Sequence, residues 1–198
     1  MICHKYKCIF IHIPRCAGTS IEKSIIGKDW WHVEPTTKHI LASTAKNLYT
    51  DYWDDYFKFS FVRNPWSRMV SMAKYPKEYG PKIVKNKLNL INYKKLYPNG
   101  EIDPRMKLNS KNPNSLKNSV YLNIIDRHID FIGHFENLQH DFEVVCNAIR
   151  FKGPLTREET SPFAKHKHYT EYYDEETKSI VAEKYAKDIE YFGYKFGK

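Results

Sequence analysis

Apolar positions along the chain switch between runs that read as buried strands and stripes that read as helix faces. Ile9-Phe10-Ile11-His12-Ile13 is nearly continuous, and with Lys7 and Cys8 before it predicts a buried strand ended by Pro14. The turn Arg15-Cys16-Ala17-Gly18 follows, and Thr19 and Ser20 open a helical pattern that lasts to Ile26. Trp30-Trp31-His32-Val33 predicts a short strand, and Ser43 to Tyr49 a helix. Phe57-Lys58-Phe59-Ser60-Phe61-Val62 is rich in strand formers. Asn64-Pro65 ends it, with Pro65 suited to the first position of a helix that continues from Trp66 to Ala73. Phe131 to Phe135 predicts another strand, and Leu138, Phe142, Val145, Cys146 and Ile149 share one helical stripe. Asp174 or a neighbour caps a last helix to about Ile189, and the aromatic tail from Tyr191 to Phe196 is expected to pack on the core.

Tyr75 to Ser119 breaks this rhythm. It holds Pro76, Pro81, Pro98, Pro104 and Pro113 among many Asn and Lys residues, which predicts short helices and long loops, with a mobile part near Asn109 to Lys117. No repeat or linker divides the 198 residues, so the expectation is one domain over 1–198 with a variable insertion at about 75–119. Alternating strands and helices indicate an α/β fold, with a central parallel sheet flanked by helices. Ligands of such folds bind where strands end at their carboxyl side. Two predicted strands end in basic turns, at Arg15 and at Arg63.

Composition narrows the classes. The formal charge of +9 suits an anionic ligand or polymer, which keeps nucleic-acid binding as a hypothesis. No apolar run approaches the roughly 20 residues that cross a bilayer. The first residues, MICHKYKCIFIHIPR, are broken by His and Lys and read as a strand rather than a signal peptide. Cys3, Cys8, Cys16 and Cys146 lack paired spacing and fit reduced thiols better than a disulfide framework or a zinc site.

The first basic turn carries the most chemistry. A strand, a tight turn and a helix start direct several backbone N–H groups to one spot, where the helix dipole also favours an anion. Gly18 permits close approach, Thr19 and Ser20 cap the helix or donate hydroxyls, and Arg15 adds fixed charge. The plainer alternative is a capped helix with a surface arginine. In the second motif, FVRNPWSRMVS, Arg63 ends a buried strand and requires an anionic partner, either a phosphate or an internal carboxylate. Ser71 lies on the helix that follows and faces either the same anion or solvent.

Together the motifs carry a family resemblance. IFIHIPRCAGTSIEKSI resembles the 5′-phosphosulfate loop of sulfotransferases that use 3′-phosphoadenosine 5′-phosphosulfate (PAPS), and FSFVRNPWSRMVSMA resembles their 3′-phosphate strand and helix. The resemblance is to the carbohydrate sulfotransferases and their short soluble relatives. It continues through FIGHFENLQHDF and from His168 to Phe196, and leaves Tyr75 to Ser119 unmatched. It implies a P-loop-type α/β sandwich and a sulfuryl transfer from PAPS to a hydroxyl, with a carbohydrate the expected acceptor. By the same resemblance Arg15, Cys16, Ala17, Gly18, Thr19 and Ser20 hold the 5′-phosphosulfate, and Arg63 and Ser71 hold the 3′-phosphate. Lys165 or Lys167 touches the nucleotide or an anionic acceptor, or else belongs to a solvated basic loop. Relatives usually carry Lys at the position of Arg15. An arginine cannot readily give up a proton, so Arg15 is assigned electrostatic stabilisation. Cys16 replaces a more usual Thr and is expected to be a small packing residue.

A base must accept the acceptor's proton. His39, between the two motifs, is the first candidate; His32 is the second and Glu34 the third. His134 is expected to be structural, and Glu136 and Asn137 to cap the next helix. The competing enzyme is a P-loop nucleotide kinase, but Gly18-Thr19-Ser20 lacks the Walker lysine and no Asp ends the Phe57 strand. A PAP- or polyanion-binding protein without turnover is the non-catalytic alternative. No metal, membrane or nucleic-acid partner is expected, and the enzyme is expected to be soluble and cytoplasmic.

Overall fold

A strand pair missing from the sequence reading opens the chain. β1 (Ile2–Cys3) lies antiparallel to β2 (Cys8–Ile11), with Ile2 opposite Ile9 and Cys3 opposite Cys8. The computed structural model describes residues 1–74, 81–90, 116–156 and 167–198. After β2 come α1 (Gly18–Ile26), 3-10 turns at Trp30–His32 and Pro35–Thr37, α2 (Ala42–Leu48), α3 (Thr50–Trp53), β3 (Phe57–Val62) and α4 (Pro65–Ala73). β4 (Lys82–Val84), β5 (Lys87–Asn89), a single helical turn at Tyr121–Ile124, β6 (Phe131–His134), α5 (Leu138–Ile149), α6 (Glu175–Lys184) and α7 (Ala186–Phe192) follow. The described residues group into two compact units. One contains residues 1–62 and 123–156; the other contains 63–74, 81–90, 116–122 and 167–198.

The first unit is built on a four-stranded sheet in the order β1-β2-β3-β6. β2, β3 and β6 are parallel, pairing Phe10 with Phe59 and Phe59 with Phe131, and the antiparallel β1 covers the edge. The predicted α/β class and parallel sheet are therefore present, with helices flanking it. β2 is buried throughout, as its unbroken apolar run requires. Two polar residues of β3 are satisfied internally: Ser60 Oγ donates to the Ile11 carbonyl at 2.8 Å, and the Lys58 ammonium donates to the Trp53 and Tyr56 carbonyls beside Asp130. α5 packs on β6 and β3 through the predicted stripe of Phe142, Val145, Cys146 and Ile149. Its Asp141 accepts the His134 N–H at 2.6 Å.

The predicted strand at Trp30 to Val33 is instead a 3-10 turn. Asp29 accepts the Trp31 N–H at 2.9 Å and Glu34 accepts the Thr36 N–H at 3.2 Å, so two acidic side chains cap consecutive turns and override the β preference of the tryptophans.

In the second unit α4 starts at Pro65 as expected, with Asn64 Oδ1 accepting the N–H groups of Trp66 and Ser67. Trp66 Nε1 donates to the Lys178 carbonyl of α6 at 3.0 Å, and the Trp66 and Phe196 rings meet in a T-shape, so Phe196 packs back as anticipated, whereas Tyr191 is exposed. The expected last helix is broken: the backbone of Tyr185 leaves helical geometry (ψ 19°), while its buried hydroxyl accepts from Arg68 at 2.6 Å. Asp188 on α7 accepts from Ser119 Oγ and from the N–H groups of Val120, Tyr121 and Leu122. β4 and β5 form a hairpin inside the stretch read as helices and loops. Its central residues Lys85 and Asn86 both have positive φ, the geometry of a tight hairpin turn. The expected mobile part lies outside the described residues over 109–115.

Candidate functional site

From β2 the chain runs through His12, Ile13 and Pro14, all buried, into the first basic turn. Arg15 (φ 69°) and Ala17 (φ 64°) both take the left-handed conformation. Each costs about 1–3 kcal/mol for a residue with a Cβ, and such strain gathers at functional sites. Left-handed residues interleaved with others turn successive N–H groups to one side and make an anion-binding concavity. Helix α1 begins at Gly18 with Ala17 as N-cap, without a side-chain cap and without an acidic residue in its first turn. Thr19 and Ser20 thus lie inside the first turn rather than at the cap position. Arg15, Ala17 and Thr19 are half-exposed, while Cys16 is buried with its thiol turned to the Pro14 carbonyl at 3.8 Å, a packing role.

Beneath the turn lies a buried polar network that sequence reasoning missed. A Cβ on Gly18 would sit 2.0 Å from His12 Nε2, so the turn rests directly on the imidazole and only glycine fits. His12 Nδ1 is 2.6 Å from Glu22 Oε1, and the Lys38 ammonium is 2.6 Å from Glu22 Oε2 and also pairs with Asp29. The Trp30 N–H donates to Glu22 Oε2 at 3.1 Å. Glu22 is fully buried, yet its hydrogen bond from His12 and its pairing with Lys38 outweigh the burial and hold its pKa below the usual carboxylate range, so it stays ionised. An ionised carboxylate only accepts, so His12 donates through Nδ1. Burial keeps His12 neutral, against the pull of Glu22. A signal existed: Glu22 sits on the same α1 face as Gly18, Ile21 and Ile25, where a lone charge requires a buried partner.

His39 joins this network. Its Nδ1 lies 3.1 Å from the His12 carbonyl oxygen, and its ring meets the His12 ring edge-on at 4.5 Å. A carbonyl only accepts, so Nδ1 carries the proton and Nε2 is the basic atom. Burial first, and His12 second, lower the His39 pKa to about 2. The structure therefore brings His39, but not His32, against His12, the residue on which the turn at Gly18 rests. His32 is exposed, and Glu34 is exposed and engaged in its own cap with Thr36.

In the second unit Arg63 Nε donates to Ser67 Oγ at 3.0 Å, and its carbonyl accepts from Tyr121 Oη at 2.5 Å. Arg63, Ser67, Ser71 and Lys74 are half-exposed, whereas every residue between them is buried. The spacing of four, four and three residues sets them along one edge of α4. Burial and the nearby Arg63 guanidinium both lower the Lys74 pKa, and the Lys74 ammonium lies 4.7 Å above the Tyr172 ring. Two neighbouring cations and two hydroxyls thus share one edge, of which the sequence reading had only Arg63 and Ser71. Lys167 is exposed, with Glu171 at 3.9 Å, and Lys165 lies outside the described residues. His134 is half-buried at the end of β6, and Asn137, the N-cap of α5, makes no side-chain cap hydrogen bond.

Among the described residues, no three His, Cys, Asp or Glu side chains gather as a metal site, and no helix is long and apolar enough to cross a membrane. Neither the curated proteins nor the solved structures returned a match. The family model described as "Sulfotransferase family" matches residues 1–195. The strained turn opening α1 and the basic edge of α4 both fall within that match, and the chain belongs to the sulfotransferase family.

Proposed function

We propose that the protein transfers a sulfuryl group from PAPS to a hydroxyl of a carbohydrate, using a P-loop-type turn at Arg15 to Ser20. The observation that carries this reading is the strained start of α1, where Arg15 and Ala17 are left-handed and the N-cap is an alanine, which has no polar side chain to cap the helix. Such a turn suits the 5′-phosphosulfate, and Arg63, Ser67, Ser71 and Lys74 suit the 3′-phosphate. Arg15 stabilises charge on the transferring and leaving groups without donating a proton. His39 takes the hydroxyl proton on Nε2 as the acceptor oxygen bonds to sulfur and the bond from sulfur to the phosphate oxygen breaks, releasing PAP. A pKa near 2 makes a weak resting base; an anion bound beside it raises that value toward the useful range.

Transfer of radiolabelled sulfate from PAPS to a glycan panel tests the proposal. Label is expected in a glycan without added metal, and at least about 100-fold more slowly after His39→Ala. Phosphoryl transfer from ATP with magnesium, with no transfer from PAPS, would replace this reading with the kinase.

A further inference from the structure

Of the four tryptophans, Trp30, Trp53 and Trp66 are at most 6% exposed, whereas Trp31 is 45% exposed. An indole held partly in solvent offers a flat face on which a ligand can stack. The Trp31 backbone is also fixed. Its N–H donates to Asp29 at 2.9 Å, and Asp29 pairs with the buried Lys38. The preceding Trp30 is anchored in the core, with Nε1 donating to Thr37 Oγ1 at 2.8 Å and its backbone N–H to Glu22. The Lys38 ammonium lies over the Trp31 ring at 5.7 Å, which directs the exposed area to the ring's other face and outer edge.

The surroundings fit one kind of ligand. The His39 ring meets Trp31 edge-on at 5.6 Å, so the exposed indole adjoins the candidate base. His32 and Glu34, which follow it closely in the chain, are exposed, and the Thr36 hydroxyl and N–H hold the Glu34 carboxylate below its ordinary pKa. A pyranose has an apolar face of C–H groups and a rim of hydroxyls. The face stacks on an aromatic ring, whose negative quadrupole favours the C–H groups, while the rim needs acceptors and donors. We infer that Trp31 is the acceptor platform: a sugar ring stacks on the indole, Glu34 and His32 bond its rim, and one hydroxyl reaches His39. A flat purely apolar partner would leave Glu34 and His32 stranded, which disfavours a protein contact here. This inference rests on the sulfotransferase reading and adds to it the residue that selects the acceptor.

The test uses the full chain labelled with 15N, with and without PAP. Four indole N–H signals are expected, and Trp31→Phe identifies the one from Trp31. Methyl β-glycosides of glucose, galactose and N-acetylglucosamine at tens of millimolar should shift that signal, while glycerol at equal concentration should not. In the PAPS assay Trp31→Ala should raise the KM for a glycan acceptor by about tenfold or more, as for loss of a stacked aromatic anchor, with Trp31→Phe between it and wild type and PAP affinity unchanged in both. No Trp31 shift with any glycoside, or an unchanged KM, overturns the platform while PAP binding leaves the donor reading standing. A protein that fails to bind PAP at all loses the donor reading instead. Concentration-dependent self-association abolished by Trp31→Ala, without a glycoside shift, assigns the surface to a second copy and also overturns the inference.

Discussion

His39 is tied through Nδ1 to the backbone carbonyl of His12, 3.1 Å away, three residues before the strained turn at Arg15 starts. The bond selects the tautomer, so the basic Nε2 is the atom left for chemistry. General-base catalysis contributes about 10²- to 10⁴-fold, so His39→Ala should lower kcat within that range while PAP affinity is retained. Calorimetry with PAP beside initial-rate kinetics separates the two effects. An equal loss of both would make His39 a structural residue.

The lowered pKa of His39 also sets a pH dependence of stability. Its folded value is about 2 against an ordinary 6.5, so between those values the unfolded chain binds the proton that the folded one refuses. Its contribution is complete above about pH 6.5 and is lost progressively as pH falls toward 2. Urea midpoints should fall between pH 7 and pH 4, and His39→Gln should flatten the slope. A slope unchanged by the substitution contradicts the buried neutral imidazole.

Glu22 is fully buried between His12 and Lys38. Removing Glu22 takes one of two carboxylates from the buried Lys38 and the acceptor from His12 Nδ1. Glu22→Ala should therefore cost about 3–5 kcal/mol in chemical denaturation. Glu22→Gln keeps the shape and should cost less. If both variants unfold at the wild-type midpoint, the network does not support the turn.

Gly18 touches the His12 ring so closely that an added methyl group would overlap it, with Nε2 2.0 Å away. His12 is held by Glu22 and has nowhere to move. Gly18→Ala should weaken PAP binding by at least about tenfold and cost about 1–3 kcal/mol of stability. Wild-type PAP affinity in Gly18→Ala would show that the turn does not contact the nucleotide.

Much of this arrangement was legible in the sequence, because the strands β2, β3 and β6 and the start of α4 follow from local rules: apolar runs, and Asn64 capping before Pro65. What local rules missed is non-local. The pairing of β1 with β2 needs a partner, and the short apolar segment Met1 to Cys3 does not announce one. The turn at Trp30 comes from Asp29 and Glu34 capping consecutive turns, which outweighs the strand preference of the residues between. The interruption at Tyr185 reflects its hydroxyl reaching Arg68, 117 residues away. Arg15 and Ser71 stood out by motif. Glu22, Lys38 and Lys74 did not, because their roles depend on charges brought together only by folding.

Titration calorimetry of PAP and of adenosine 5′-phosphosulfate against wild type and Arg63→Ala tests the central claim most directly. A charged hydrogen bond to the 3′-phosphate contributes about 1.5–3 kcal/mol, so Arg63→Ala should weaken PAP by about 10- to 100-fold. Adenosine 5′-phosphosulfate, which lacks that phosphate, should bind both proteins alike. Equal losses for the two ligands, or none for either, would contradict the assignment of the α4 edge to the 3′-phosphate and with it the choice of PAPS as donor.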